Sequence, residues 1–357
     1  MPLDCLSRRD FLVSTGSIGI GASVLATVPG IAVRRAERFR QTLSVGVVGL
    51  NELGLLLAGA AQRSSSLVLS AIFDSDPDRL HHVFRDISEK TVERFNNPLE
   101  LLGQRSLDIV VLATSDTHAS VDVALTAAKS GKHLFFGEPF ALDPVRAARI
   151  LAASQLSDAM VEHSHISVPE EVFGEMCRVR ARRHGNIQSA DALITADSGV
   201  GFDDTGVLPV LDLSRRVVNV RLPKSVTATW TGSRGSSWAA ALNYSGDKKL
   251  RLETRLGKAG GTAVASNTVK FKTESGVVAT SWNSASPDEA LLGARMNRFA
   301  DSIRQGTSGN SMTPLAEAYL SIVTLRLIQK SLEYGQSVHT PQFFKDWQVP
   351  HEYGKDA

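Results

Sequence analysis

The sequence predicts an α/β protein in two parts. The first is a doubly wound parallel sheet, and the second is an α/β domain built on an open, mostly antiparallel sheet. Three observations carry this prediction. Short apolar runs alternate with helical segments from residue 43 to residue 163. The first of these runs leads directly into a glycine-containing turn. Beyond residue 225 the pattern changes to strands in which apolar and polar residues alternate. Continuous apolar runs between helices mark strands covered on both faces, whereas alternation marks a sheet with one open face.

The bulk numbers bound the function classes. The chain has 357 residues, enough for two domains, with 43% hydrophobic and 21% charged residues. Such values fit a globular chain and exclude a disordered or fibrous one. Lys and Arg total 39 against 37 for Asp and Glu, a formal charge of +2. A dedicated nucleic-acid binder would show a strongly basic domain, so no nucleic-acid partner is expected. Cys5 and Cys177 are the two cysteines, too few for a disulfide framework or a multi-cysteine metal site. No metal site is expected.

The N-terminus reads as an address. Ser7-Arg8-Arg9-Asp10-Phe11-Leu12 opens a charge-free run from Phe11 to Val33 in which ten of 23 residues are Gly, Ser, Thr or Pro. That run is too weakly apolar for a comfortable anchor, and small residues at Gly30-Ile31-Ala32 provide a cleavage site. The segment resembles a twin-arginine (Tat) signal, which implies export of the folded protein, the Tat translocase as a transient partner, and an extracytoplasmic or periplasmic location. Residues 1–33 are therefore read as the signal and 34–42 as a solvated linker. Residues 43–163 are read as the first domain and 164–357 as the second.

The elements follow in order. Leu43 to Gly49 has the length and β-branched content of a buried strand. It enters Gly49-Leu50-Asn51-Glu52-Leu53-Gly54 and a helix beginning near Leu55, and a second strand runs from Leu67 to Phe73 and ends on Asp74. Glycines let a backbone turn tightly against a pyrophosphate held at the helix N-terminus, and the acid can accept the adenosine ribose hydroxyls. Asn51 stands where the pattern's middle glycine would be, and its side chain enters the pyrophosphate space. The Asp74 carboxylate favours NAD over NADP, because it repels a 2′-phosphate. A strand from Asp108 to Thr114 meets the loop Ser115-Asp116-Thr117-His118, and a helix runs from about Ala119 to Lys129 with Gly131 beyond its end. His133 to Phe136 is a strand ending in Gly137-Glu138-Pro139, and Asp143-Pro144 opens the next helix. Ala159-Met160-Val161 is a further strand, with His163 and His165 just past it, and a helix is expected from about Pro169 to His184. Ligands of such sheets lie at the carboxyl ends of the strands. The candidate cofactor residues are accordingly Gly49, Asn51, Gly54, Asp74, Thr114, Ser115, His118, Glu138 and Pro139. In the second part, strands are expected at 226–231, 238–244, 248–255, 268–273 and 277–282.

The series Asp108 to Thr114, Asp116-Thr117-His118-Ala119 and Gly131-Lys132-His133, followed by a strand and Pro139, resembles the glucose–fructose oxidoreductase, inositol dehydrogenase and rhizopine-catabolism (Gfo/Idh/MocA) family. Arg298 to Gly306 and Ala316 to Val338 are similar to that family's C-terminal helices. The resemblance implies a Rossmann domain, a nicotinamide cofactor, a sugar, polyol or related hydroxy compound as small-molecule substrate, and a homo-oligomer. It also implies two catalytic features. One is a Glu-Lys-Pro whose lysine sits near the nicotinamide, and the other is an Asp-x-x-x-His helix whose histidine is a general acid–base. Neither is intact here. Glu138 occupies the lysine position, and the helix Gly206 to Arg216 places either Val210 and Ser214 or Asp212 and Arg216 on the Asp and His positions. Glu138, His163 and His165 are the substitutes the sequence offers for catalysis. Asp203 and Asp204 precede the altered helix, and Cys177 reads as a buried helix residue.

The expectation is an exported NAD(P)-binding oxidoreductase with its NAD (or NADP) held tightly and loaded before export. The alternatives are a catalytically inactive relative with a binding role, and an NAD-dependent glycoside hydrolase, which also needs hydride transfer and a base.

Overall fold

The computed structural model describes residues 42–86, 92–114, 117–137, 143–165, 168–181, 187–196, 204–232, 237–256, 266–274, 276–283, 288–306 and 314–347. The expected signal at 1–33 and most of the linker lie outside the described residues, as do Ser115, Glu138, Pro139 and Asp203. The chain divides into two compact units. No helix among the described residues is long and apolar enough to cross a membrane.

The first unit is a parallel sheet with its helices. β1 (Leu43–Val48) leads to α1 (Glu52–Arg63), β2 (Leu67–Phe73), α2 (Pro77–Asp86), β3 (Glu93–Phe95) and α3 (Pro98–Leu102). Then follow β4 (Ile109–Leu112), α4 (Thr117–Lys129), β5 (His133–Phe136), α5 (Pro144–Ser157), of which the part from Ile150 belongs to this unit, and β6 (Val161–His163). The sheet order is β3-β2-β1-β4-β5-β6, and every pair is parallel. Strand order reverses between β1 and β4, which is where such sheets open a crevice for a ligand. The strands are uninterrupted apolar runs because both faces are covered: every residue of β4 and β5 is buried. β3 and the helices α2 and α3 were not expected, yet Asp76-Pro77 and Asn97-Pro98 are ordinary helix openings.

Helix ends follow their residues. Gly131 takes φ +75, and the Lys132 N–H returns to the Ala127 carbonyl, closing α4 at the predicted glycine. The Asp143 side chain accepts from the Val145 N–H with Pro144 in the first turn of α5. A later helix, α8 (Glu289–Gln305), also belongs to the first unit; Asp288 caps its start and Gly306, at φ +64, its end.

The second unit contains α6 (Glu170–Ala181), β7 (Ser189–Ala196), α7 (Asp204–Val218), β8 (Ser225–Trp230), β9 (Trp238–Asn243), β10 (Lys249–Leu256), β11 (Ser266–Thr273) and β12 (Gly276–Asn283). It closes with α9 (Leu315–Tyr334), β13 (Val338–His339) and α10 (Thr340–Trp347). Its sheet runs β12-β11-β7-β10-β9-β8-β13, with only the central β7–β10 pair parallel. The sheet is thus mixed but mostly antiparallel. β7 was missed because its inward residues begin with Ala190 and Ala192, too small to register as a strand pattern. Asp204, expected in a loop, is the first residue of α7, which carries Pro209 inside it. Cys177 lies on α6.

Candidate functional site

Two sets of polar residues stand out, one in each unit. In the first, the β1–α1 turn is built by close packing. Gly49 has φ +92, and a Cβ there would meet the Ala113 carbonyl oxygen at 2.6 Å. A Cβ on Gly54 would meet the Gly49 carbonyl oxygen at 2.0 Å, so only glycine lets α1 approach the end of β1. Gly54→Ala is expected to cost about 1–3 kcal/mol by overpacking, read as a lower urea midpoint; an unchanged midpoint contradicts this packing.

Asn51 caps α1. Its Oδ1 accepts from the Gly54 N–H at 2.9 Å, so the side chain lies across the first turn as an N-cap, a role the sequence reading did not assign. With Oδ1 engaged, the amide's Nδ2 end still offers two N–H donors to an anion. Asp74 is buried at the carboxyl end of β2. Its Oδ2 accepts from the Leu50 N–H at 2.6 Å and its Oδ1 from the Asp76 N–H at 2.8 Å. The acid is therefore anchored to the glycine turn itself. Arg79 Nη1 donates to Asp74 Oδ2 at 3.2 Å, a partner the sequence reading did not assign. Thr114 follows β4 at the same end of the sheet, and the His118 backbone lies in the first turn of α4. Gly137, where a Cβ would meet Leu57 at 2.7 Å, follows β5. These residues fit a dinucleotide: turn, helix N-terminus and anchored acid stand at the crevice where strand order reverses.

The candidate histidines separate. His163 closes β6, is fully buried, and belongs to the first unit. Beside it, Glu162 is buried, and Arg295 Nη1 donates to Ser164 Oγ at 3.2 Å. Burial pushes the Arg295 guanidinium down to about 10, with the Glu162 charge opposing. His165 belongs to the second unit, where its Nε2 meets Asp212 Oδ2 at 3.2 Å.

Asp212, on α7, is wholly buried and surrounded by donors. Ser321 Oγ donates to Oδ1 at 2.8 Å, Arg215 Nη2 to Oδ1 at 3.2 Å, and Arg216 Nη1 to Oδ2 at 3.4 Å. Burial alone would raise the carboxyl. The His165 hydrogen bond, then the charges of Arg216, His165 and Arg215, outweigh it and hold Asp212 well below the usual carboxylate range. Arg215 is also buried and reaches Glu317 Oε2 at 2.5 Å and the Val220 carbonyl at 2.9 Å. Burial pushes Glu317 up, and the opposing charges of Arg215 and Arg216 leave it lowered. Arg216 stacks over the Phe173 ring, 5.2 Å from its centroid. An ionised carboxylate only accepts, so Nε2 is the nitrogen of His165 that donates to Asp212. Ser214, by contrast, is buried on the same helix outside this network's bonds to Asp212. Asp212 is thus the residue of this helix that meets a histidine, and that histidine comes from beyond β6.

Sequence reasoning missed Arg79, Arg215, Glu317 and Ser321. Only Arg79 had a local signal, three residues after the helix-opening Asp76. Among the described residues, no group of three or more His, Cys, Asp or Glu is placed to hold a metal.

Comparison with known proteins bears on the first unit most directly. Residues 43–165 match the GFO_IDH_MocA oxidoreductase family, described as having an NAD-binding Rossmann fold. A myo-inositol 2-dehydrogenase of Thermotoga maritima is 29% identical over 121 residues, 33% of this chain, and the match spans only 35% of that enzyme. Solved structures extend the likeness of fold to most of the chain. Scyllo-inositol dehydrogenase from Lactobacillus casei, with bound NAD(H) and scyllo-inositol, aligns with a TM-score of 0.69 at 14% identity over 84% of this chain and 99% of that one. GenD2 from gentamicin A biosynthesis, in complex with NAD, aligns with a TM-score of 0.69 at 16% identity over 91% and 99%.

Proposed function

We propose that this chain is a member of the Gfo/Idh/MocA oxidoreductase family that binds a nicotinamide dinucleotide and oxidises or reduces a cyclic polyol or sugar. The observation that carries the reading is the Gly49–Gly54 turn with Asp74 hydrogen-bonded back to Leu50. The match over residues 43–165 supports the same half, and the inositol dehydrogenases among the similar proteins support a polyol.

When bound, the dinucleotide supplies the hydride acceptor or donor. The chain's residues do the rest. Asp74 would receive ribose hydroxyls, the start of α1 and the Asn51 amide would receive the pyrophosphate, and Thr114 would stand beside them; Ser115, His118 and Pro139 are assigned to the same site by their places in the sequence. Alcohol oxidation also needs a base, because the hydroxyl proton must leave as the hydride does. His165 is assigned that task through Nδ1, with Asp212 as its positioning residue and Arg216 in the place of the family's helix histidine. Glu138 stands where the family has lysine, and His163 supports the end of β6. Export by the Tat route with cofactor already loaded, and assembly as a homo-oligomer, complete the reading.

One observation favours a non-catalytic relative instead: every oxygen of Asp212 is already engaged by buried donors, as in a purely structural charge network. Turnover separates the two readings. Purified protein mixed with NAD and, in turn, myo-inositol, scyllo-inositol and common hexoses is expected to generate the nicotinamide absorbance band with at least one of them. Absence of turnover across a broad polyol and sugar panel, with bound nucleotide present, favours the non-catalytic relative.

A further inference from the structure

We infer that Arg79 adapts the adenosine end of the dinucleotide site to a 2′-phosphate, so that the chain takes NADPH as well as NADH; the inference rests on the dinucleotide reading above. A lone acid at the end of β2 receives ribose hydroxyls and repels a 2′-phosphate, whereas a nearby arginine accommodates the phosphate. This chain has both, in contact. Arg79 Nη1 lies 3.2 Å from Asp74 Oδ2 and 3.5 Å from Oδ1, and its Nη2 lies 3.4 Å from Asp76 Oδ2.

Local structure fixes the arginine there. Asp76 Oδ1 accepts from the N–H groups of Asp78 and Arg79, opening α2 immediately after β2. Arg79 consequently sits in the first turn of a helix whose N-terminal dipole also favours an anion. Exposure decides which charge an incoming group meets. The Asp74 side chain is 3% exposed and that of Arg79 44%, so the acid is shielded and the guanidinium faces solvent. A guanidinium carries five N–H donors, more than these contacts to two carboxylates use, and its planar fork suits phosphate oxygens. Asp74 Oδ2 meanwhile already accepts from Leu50 and Arg79, so a ribose hydroxyl of NADH must share it. The same arginine that admits the phosphate thus weakens the acid's preference for a bare ribose.

Nicotinamide fluorescence titrations of the purified full-length protein with NADH and with NADPH test this. The wild type is expected to bind both within about tenfold of each other. Arg79→Ala is expected to weaken NADPH about 10–100-fold, the loss of a charge-assisted contact, while NADH binds equally well or more tightly. Arg79→Lys should fall between. Because Arg79 is half-exposed, circular dichroism of the variants should match the wild type. Equal loss of both nucleotides in Arg79→Ala, or an unmoved ratio, overturns the inference while leaving dinucleotide binding intact. Folded wild type that binds neither nucleotide overturns the dinucleotide reading itself, and this inference with it.

Discussion

Asp212→Ala is expected to destabilise the second unit by about 3 kcal/mol. The variant leaves the buried Arg215 with one carboxylate fewer, and removes the common acceptor of Ser321, Arg216 and His165. Breaking a buried pair on one side costs about 3–5 kcal/mol, since the remaining charge has lost water as well as its partner. Glu317 still holds the other side of Arg215, which places the effect at the lower end. Chemical denaturation of wild type and variant at neutral pH measures it.

The pH dependence isolates the charge. Asp212 and Glu317 are both held below their ordinary values in the folded protein. Groups depressed by folding contribute stability that is complete above the unfolded pKa, about pH 4, and is lost as pH falls through the folded values. Asp212→Asn keeps the shape and removes the titration. The stability gap between wild type and Asp212→Asn should be widest above about pH 5 and close toward pH 2. A gap that is flat or grows in acid contradicts an ionised Asp212.

His165→Ala carries the second large effect, on rate rather than stability. Loss of a general acid–base typically lowers turnover about 10²–10⁴-fold. NADH affinity should not move, because the residues assigned to the nucleotide lie elsewhere. Asp212→Asn should displace the pH–rate profile, since an amide no longer fixes the Nε2–H form of the ring or balances its charge. A merely structural His165 would instead lower stability and leave the rate per folded molecule unchanged. Steady-state kinetics normalised to folded protein distinguishes the outcomes.

What the sequence revealed depended on distance along the chain. Gly49, Gly54 and Asp74 were legible because a strand, a turn and an acid lie within one local unit, and the structure joins them through Leu50 and Asp74. Gly131 marked a helix end for the same reason. Nothing local announced the Asp212 network. His165 lies 47 residues before Asp212, Ser321 lies 109 after it, and Glu317 is 102 residues from Arg215. The two registers open for the altered helix were indistinguishable from local pattern, and that Asp212 meets a histidine from another segment is visible only in the structure. β7 escaped because its inward face begins with alanines, and its parallel pairing with β10 joins strands far apart in sequence.

In the proposed function, the turn from Gly49 to Gly54, with Asp74, holds a dinucleotide. Titration of purified, nucleotide-stripped protein with NADH, alongside Asp74→Ala, tests it most directly. Saturable binding in the wild type, weakened at least about tenfold in the variant, is the expected result, because the ribose loses its charged acceptor. Absence of saturable binding by a folded wild type, or an Asp74→Ala protein that binds NADH as the wild type does, would contradict it.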